Sequence, residues 1–143
     1  TSQADISAKN IQSKETKTTY SLYKQNQKCG KVTLNVPGKH NVLNSLAAAA
    51  IGFEMGLSVK TIIAGIGSYG GVRRRFEIKG IAGEVMVVDD YAHHPTEVSA
   101  TLQAARDGWD RRIIAVFQPH LFSRTKDLLD DFAKVLSKFD FRE

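Results

Sequence analysis

Apolar and polar residues alternate over residues 19–23 and again over 31–36, which sets Tyr20, Leu22, Val32, Leu34 and Val36 on one face. A period of two is that of a strand with one buried side, and the polar stretch 24–30 between the two runs predicts a hairpin. Pro37 and Gly38 end the second strand. The period then lengthens. Val42, Leu43, Leu46, Ala47, Ala50 and Ile51 recur at helical spacing and predict a helix that stops near Gly56. Ser58 is placed to cap a second helix over 59–66.

Glycines at 65, 67, 70 and 71 interrupt the pattern, and beyond them it begins afresh. Residues 76–79 and 85–88 are short β-type runs. Val98, Leu102 and Ala105 predict a helix over 95–106, with Pro95 suited to its first turn. Residues 113–117 form a continuous apolar run of the kind buried on both faces of a parallel sheet. Leu128, Leu129, Phe132, Val135 and Leu136 then predict one amphipathic helix over 125–139, with Ser123 available as its cap. The second half therefore predicts an α/β unit with a parallel sheet of two or three strands. Doubly wound sheets usually have five or six, so this unit reads as incomplete, as does the first, which has no parallel core.

Composition narrows the class. The chain has 143 residues, 42% of them apolar and 24% charged, the balance of a soluble globular protein. No apolar run approaches the roughly 20 residues that span a bilayer, and Glu54 soon interrupts the alanine-rich stretch 46–51. Residues 1–10 have neither the basic start nor the apolar centre of an export signal. Cys29 is the single cysteine and cannot close an internal disulfide, which fits a reducing cytoplasm. The net charge of +5 is spread along the chain apart from Arg73, Arg74 and Arg75, a distribution that speaks against a nucleic-acid surface.

Four polar clusters open or close regular elements, where open α/β sheets place ligands. In the first, Lys39-His40-Asn41-Val42-Leu43-Asn44, two amides three residues apart at a helix start can read the edge of an adenine; the plainer reading is a helix cap. In the second, Gly70-Gly71-Val72-Arg73-Arg74-Arg75-Phe76-Glu77, guanidinium groups after glycines suit a phosphate, with Glu77 holding one arginine; the plainer reading is a solvated linker. The third, Asp89-Asp90-Tyr91-Ala92-His93-His94-Pro95, lies between a strand and a helix. A carboxylate there can accept from ribose hydroxyls or hold magnesium indirectly, and a histidine can orient or deprotonate an amine. Adjacent histidines point apart, so a zinc site is not read from them and one of the pair is expected to be structural. In the fourth, Phe117-Gln118-Pro119-His120-Leu121-Phe122-Ser123-Arg124-Thr125, Arg124 suits a substrate carboxylate, and the plainer reading is a polar loop with a capping serine.

In this order and at these separations the four strings resemble the Mur ligase family, from about residue 5 onward. Within it, Asp89 to Glu97 followed by Phe117-Gln118-Pro119-His120 is similar to the member that attaches L-alanine. The resemblance implies that residues 1–74 are the later part of a central ATP-binding domain and residues 75–143 the beginning of a Rossmann-like C-terminal domain. It implies an ATP-dependent ligation of L-alanine to UDP-N-acetylmuramate through an acyl phosphate, in peptidoglycan precursor synthesis, in the cytoplasm. By position, His40, Asn41 and Asn44 match adenine-side residues, Arg75 a phosphate-directed arginine and Asp90 a ribose-binding aspartate. Tyr91, His93, His120 and Arg124 match residues facing the incoming amino acid and the reacting centre, with His93 and His120 the catalytic candidates. Leu121 departs from the many relatives with a second arginine there, which shifts carboxylate binding onto Arg124. No Gly-Lys-Ser or Gly-Lys-Thr phosphate loop occurs in the chain. The Mg2+ ligands are accordingly expected mainly upstream, none among these residues, and the piece alone is expected to be inactive. Two other readings stay open: a ligase that recycles murein tripeptide, and a non-catalytic nucleotide-binding module.

Overall fold

The computed structural model describes residues 4–138. The chain divides into two compact units, Thr1–Gly71 and Val72–Glu143.

The first unit is a three-stranded antiparallel sheet in the order β1-β2-β3, backed by two helices. The strands are β1 (Ile6–Lys14), β2 (Lys17–Lys24) and β3 (Gln27–Leu34). The predicted hairpin is β2 and β3, which pair Tyr20 with Val32 and Thr18 with Leu34. β1 has no counterpart in the sequence reading. Its residues are half-buried or exposed, and its pairing with β2 slips between Lys9 and Gln12, so it shows no clean alternation.

Helix α1 (Lys39–Glu54) begins after Gly38 and ends as the sequence predicts. Gly56 takes φ 72, its N–H bonds to Phe53 O, and the Leu57 N–H reaches back to Gly52 O. That double closure is a Schellman motif, which needs a residue at ease with a left-handed backbone. Helix α2 (Val59–Ser68) is capped by Ser58, whose Oγ accepts the Thr61 N–H. Tyr20, Leu22, Val32 and Leu34 from the sheet pack against Val42 and Ala49 of α1 and Ile62 and Ile66 of α2. Into this core the sheet sends one polar tie, from the Tyr20 hydroxyl to Ser45 Oγ at 2.8 Å. Ser45 gives its own proton to Val42 O, so Tyr20 is the donor. Burial raises the Tyr20 phenol above its ordinary pKa.

The second unit opens with a hairpin of β4 (Glu77–Ala82) and β5 (Val85–Asp89), antiparallel, with Glu77 opposite Asp89. Three helices follow: α3 (Pro95–Gly108), α4 (Phe122–Asp127) and α5 (Leu129–Lys138). Val98 and Leu102 of α3 meet Phe132 of α5, and Ala92, Ile113, Phe117 and Leu128 pack around them.

Three expectations are corrected here. Residues 113–117 are not a strand: Ile113 and Phe117 turn onto the helices, but Ile114 is 72% and Val116 95% exposed. A strand is held by the ladder its neighbour supplies, and among the described residues β5 pairs with β4 and with nothing else. The predicted parallel sheet is thus not formed within this unit. The helix expected over 125–139 is two helices parted at Leu128, and Phe139 lies outside the described residues. Ser123 does not cap; it sits inside α4, whose N-cap is Leu121 at φ 69 with no side-chain cap bond.

Candidate functional site

On the first unit, the chain leaves β3 through Pro37 and Gly38 and enters α1 directly, so His40 and Asn41 lie in its first turn. Asn41 is not the cap. Its Nδ2 donates to Pro37 O at 2.7 Å, one turn back, which tethers the amide and leaves its second N–H and its carbonyl oxygen for a ligand. Asn44 and His40 are exposed, whereas Asn41 is half-buried. The side-by-side amides expected from the spacing are therefore unequal: one is held by the backbone and the other is in solvent.

On the second unit the site is built around the carboxyl end of β5. Asp90 is a double acceptor, its Oδ2 taking the Phe76 N–H and its Oδ1 the Ala92 N–H, both at 2.8 Å. One carboxylate thereby ties the arginine stretch before β4 to the loop after β5. Glu77 was expected to hold an arginine; it does so through the backbone, accepting the Arg74 N–H at 2.8 Å while Lys79 Nζ lies 3.0 Å from its other oxygen. The Arg74 N–H, ahead of Lys79, keeps the Glu77 carboxyl below the usual carboxylate range.

Tyr91 is the hub of the loop. Its ring lies 5.0 Å from that of His93 and 6.4 Å from that of His120. The Arg74 guanidinium stands 4.5 Å from the same ring. His93 Nδ1 is 2.8 Å from Tyr91 O, and because a carbonyl only accepts, Nδ1 carries a hydrogen and Nε2 is the ring nitrogen this bond does not use. Of the two histidines, His94 is the structural one: its Nδ1 accepts the Thr96 N–H and so caps α3. Glu97 completes the capping box by accepting from the N–H groups of His93 and His94. These donors, His93 first, hold the Glu97 carboxyl below the usual carboxylate range against a smaller opposing effect of burial.

Arg124, in α4, reaches back to His120 O at 3.5 Å, a long bond that uses one of its five donors. Tyr91, His93, His120 and Arg124 thus form one chain of neighbours. Arg75 contributes a weak favourable charge to Glu97. Arg74 was missed as a site residue. Within three consecutive arginines nothing in the sequence distinguishes it; the distinguishing feature is its left-handed backbone, φ 58.

Among the described residues no three His, Cys, Asp or Glu side chains converge as a metal site, and no helix is long and apolar enough to cross a membrane. Each Asp90 oxygen takes one backbone N–H, and Asp89 lies 3.7 Å from Arg74.

Comparison with known proteins places these features in a family. The Mur ligase middle domain matches residues 1–52, and the Mur ligase glutamate ligase domain matches residues 74–141. The UDP-N-acetylmuramate–L-alanine ligase of Geotalea daltonii is 48% identical over 98% of this chain and 31% of its own length. The enzyme of the same name from Pelodictyon phaeoclathratiforme is 52% identical over 96% of the chain and 29% of its own. Among solved structures, the UDP-N-acetylmuramate-alanine ligase of Thermotoga maritima superposes with TM-score 0.82 at 29% identity, covering 96% of this chain and 31% of that one. A murein peptide ligase from Psychrobacter arcticus gives 0.52 at 34% identity, covering 83% and 25%. The chain spans about a third of the length of the curated relatives it matches.

Proposed function

Because this chain belongs to the Mur ligase family, we propose that the intact protein carrying it joins L-alanine to UDP-N-acetylmuramate, driven by ATP, in the cytoplasmic synthesis of peptidoglycan precursors. The observation that carries this reading is the row Tyr91, His93, His120 and Arg124, which begins just after β5, with His93 Nε2 not used by the bond to Tyr91 O. The names of the relatives support the same reaction.

In that reaction the muramate carboxylate takes the γ-phosphoryl group, ADP departs, and the alanine nitrogen attacks the acyl carbon as phosphate leaves. The ammonium form of alanine cannot attack. His93 Nε2 is suited to take its proton or to orient the freed amine, and His120 lines the same face across Tyr91. Arg124 supplies the planar pair of donors that an amino-acid carboxylate needs. On the first unit His40, Asn41 and Asn44 are the adenine-side group, with Asn41 pre-set by its tether. On the second, Arg75 is directed at phosphate and Asp90 at ribose hydroxyls, for which each oxygen retains acceptor capacity beside its backbone bond. Magnesium would offset the negative charge around the phosphates. Its ligands are assigned mainly to the part of the protein upstream of these residues.

The test uses the intact protein. Arg124→Ala is expected to raise the KM for L-alanine about ten- to a hundredfold, the cost of a charge-assisted pair, with the KM for ATP unchanged. If murein tripeptide were consumed in preference to L-alanine, the recycling ligase would be the correct member. Nucleotide binding with no ADP formed from either amine would leave a binding module instead.

A further inference from the structure

One charged side chain beside Tyr91 has no part in the steps above. The Arg74 guanidinium lies 4.5 Å from the centre of the Tyr91 ring, and its Nε is 3.7 Å from Asp89. The same residue also holds Tyr91 through the main chain, its carbonyl accepting the Tyr91 N–H at 2.8 Å. Its own N–H is anchored on Glu77. Arg74 therefore fixes the backbone of Tyr91 with one group and the ring with another.

Arg74 does this from φ 58, and Phe76, two residues on, stands at φ 49. Residues with a β-carbon avoid this region, and glycine would relieve the strain. Gly70 and Gly71 precede it, so flexible residues are close by in the sequence, yet a strained arginine occupies the turn. Global stability does not account for it: the pair with Asp89 is long and its side chains are 58% and 40% exposed, a setting in which ion pairs contribute little. What the strained turn does achieve is direction. It aims a planar cation at the one ring that also borders His93 and His120.

We propose that Arg74 is a positioning residue: it sets the Tyr91 ring against the two imidazoles and acts on the reaction through that ring, without touching the nucleotide. This gives consecutive arginines different tasks, Arg74 for the loop and Arg75 for phosphate. The inference deepens the amine-side reading of Tyr91 and rests on it for the constant expected to move.

The test is a double-mutant cycle in the intact protein. Tyr91→Ala is expected to raise the KM for L-alanine. Arg74→Ala should raise the same constant about three- to fivefold, as befits a partly exposed cation over a ring, leaving the KM for ATP unchanged. In the Tyr91→Ala background Arg74→Ala should add nothing, because the ring it orients has gone. Arg74→Gln, which keeps the stem and loses the charge, should behave as Arg74→Ala does, with a melting temperature like that of the unsubstituted protein. Full additivity, a rise in the KM for ATP on substituting Arg74, or no effect of Tyr91→Ala on any constant would each overturn the proposal. If Tyr91→Ala moved the ATP constant instead and Arg74→Ala moved it no further in that background, the amine-side reading and the inference would both fall. Full additivity on the L-alanine constant would remove the inference alone.

Discussion

At Asp90 one carboxylate joins two stretches of chain that the sequence keeps apart, taking a backbone N–H from Phe76 with one oxygen and from Ala92 with the other. An amide in its place would turn an NH2 group toward one of those donors. Asp90→Asn is therefore expected to cost about 1–3 kcal/mol of stability with no ligand present. Urea midpoints of the nucleotide-free intact protein check this; a residue used for ribose alone would leave them unchanged. The place of Asp90, Tyr91 and His93 in the fold was legible because a short β-type run ends just before them and a proline-started helix follows. That Asp90 ties the loop was not legible, since its partners are backbone groups, which no side-chain pattern records. Asn41 is a similar case: its spacing to Asn44 was readable, whereas its bond to Pro37 O depends on how α1 begins.

Among the elements, α3 is the one whose sequence determines it most completely. Pro95 stands in its first turn, His94 caps it, and Glu97 closes the box while accepting from His93, so the helix start and the candidate base share one carboxylate. Glu97→Ala is expected to cost about 0.3–1.5 kcal/mol. The pH dependence has a definite sign. Folding lowers the Glu97 pKa, so its contribution is complete above the ordinary carboxylate range and fades as pH falls through the lowered value. Exposure of the side chain keeps the effect small. Glu97→Gln keeps the acceptor and loses the charge, so its urea midpoint should fall less steeply in acid than that of the unsubstituted protein. Parallel acid limbs would contradict the assignment. Residues 113–117 show the limit of reading elements from pattern: an apolar run records that burial is available, but a strand also needs a neighbour to accept its ladder. β1 shows the reverse, pairing along β2 although its own side chains show almost no alternation.

For the whole molecule, the structure divides into two compact units between Gly71 and Val72, whereas the sequence reading puts its boundary between residues 74 and 75. Each unit was legible where its contacts are local, as in the β2–β3 hairpin and the capped helices, and illegible where they depend on distant segments. If the intact protein is the proposed ligase, this polypeptide by itself, which has no Gly-Lys-Ser or Gly-Lys-Thr loop, should form no ADP from ATP, L-alanine and UDP-N-acetylmuramate. Coupled-enzyme detection of ADP checks this, and turnover would contradict it. The stretch with Ile114 and Val116 in solvent has a further result for anyone handling the isolated polypeptide. Short, uncharged, β-prone ribbons with unpaired main chain adhere to one another. Concentrated solutions should therefore clump, and Val116→Lys should keep them clear.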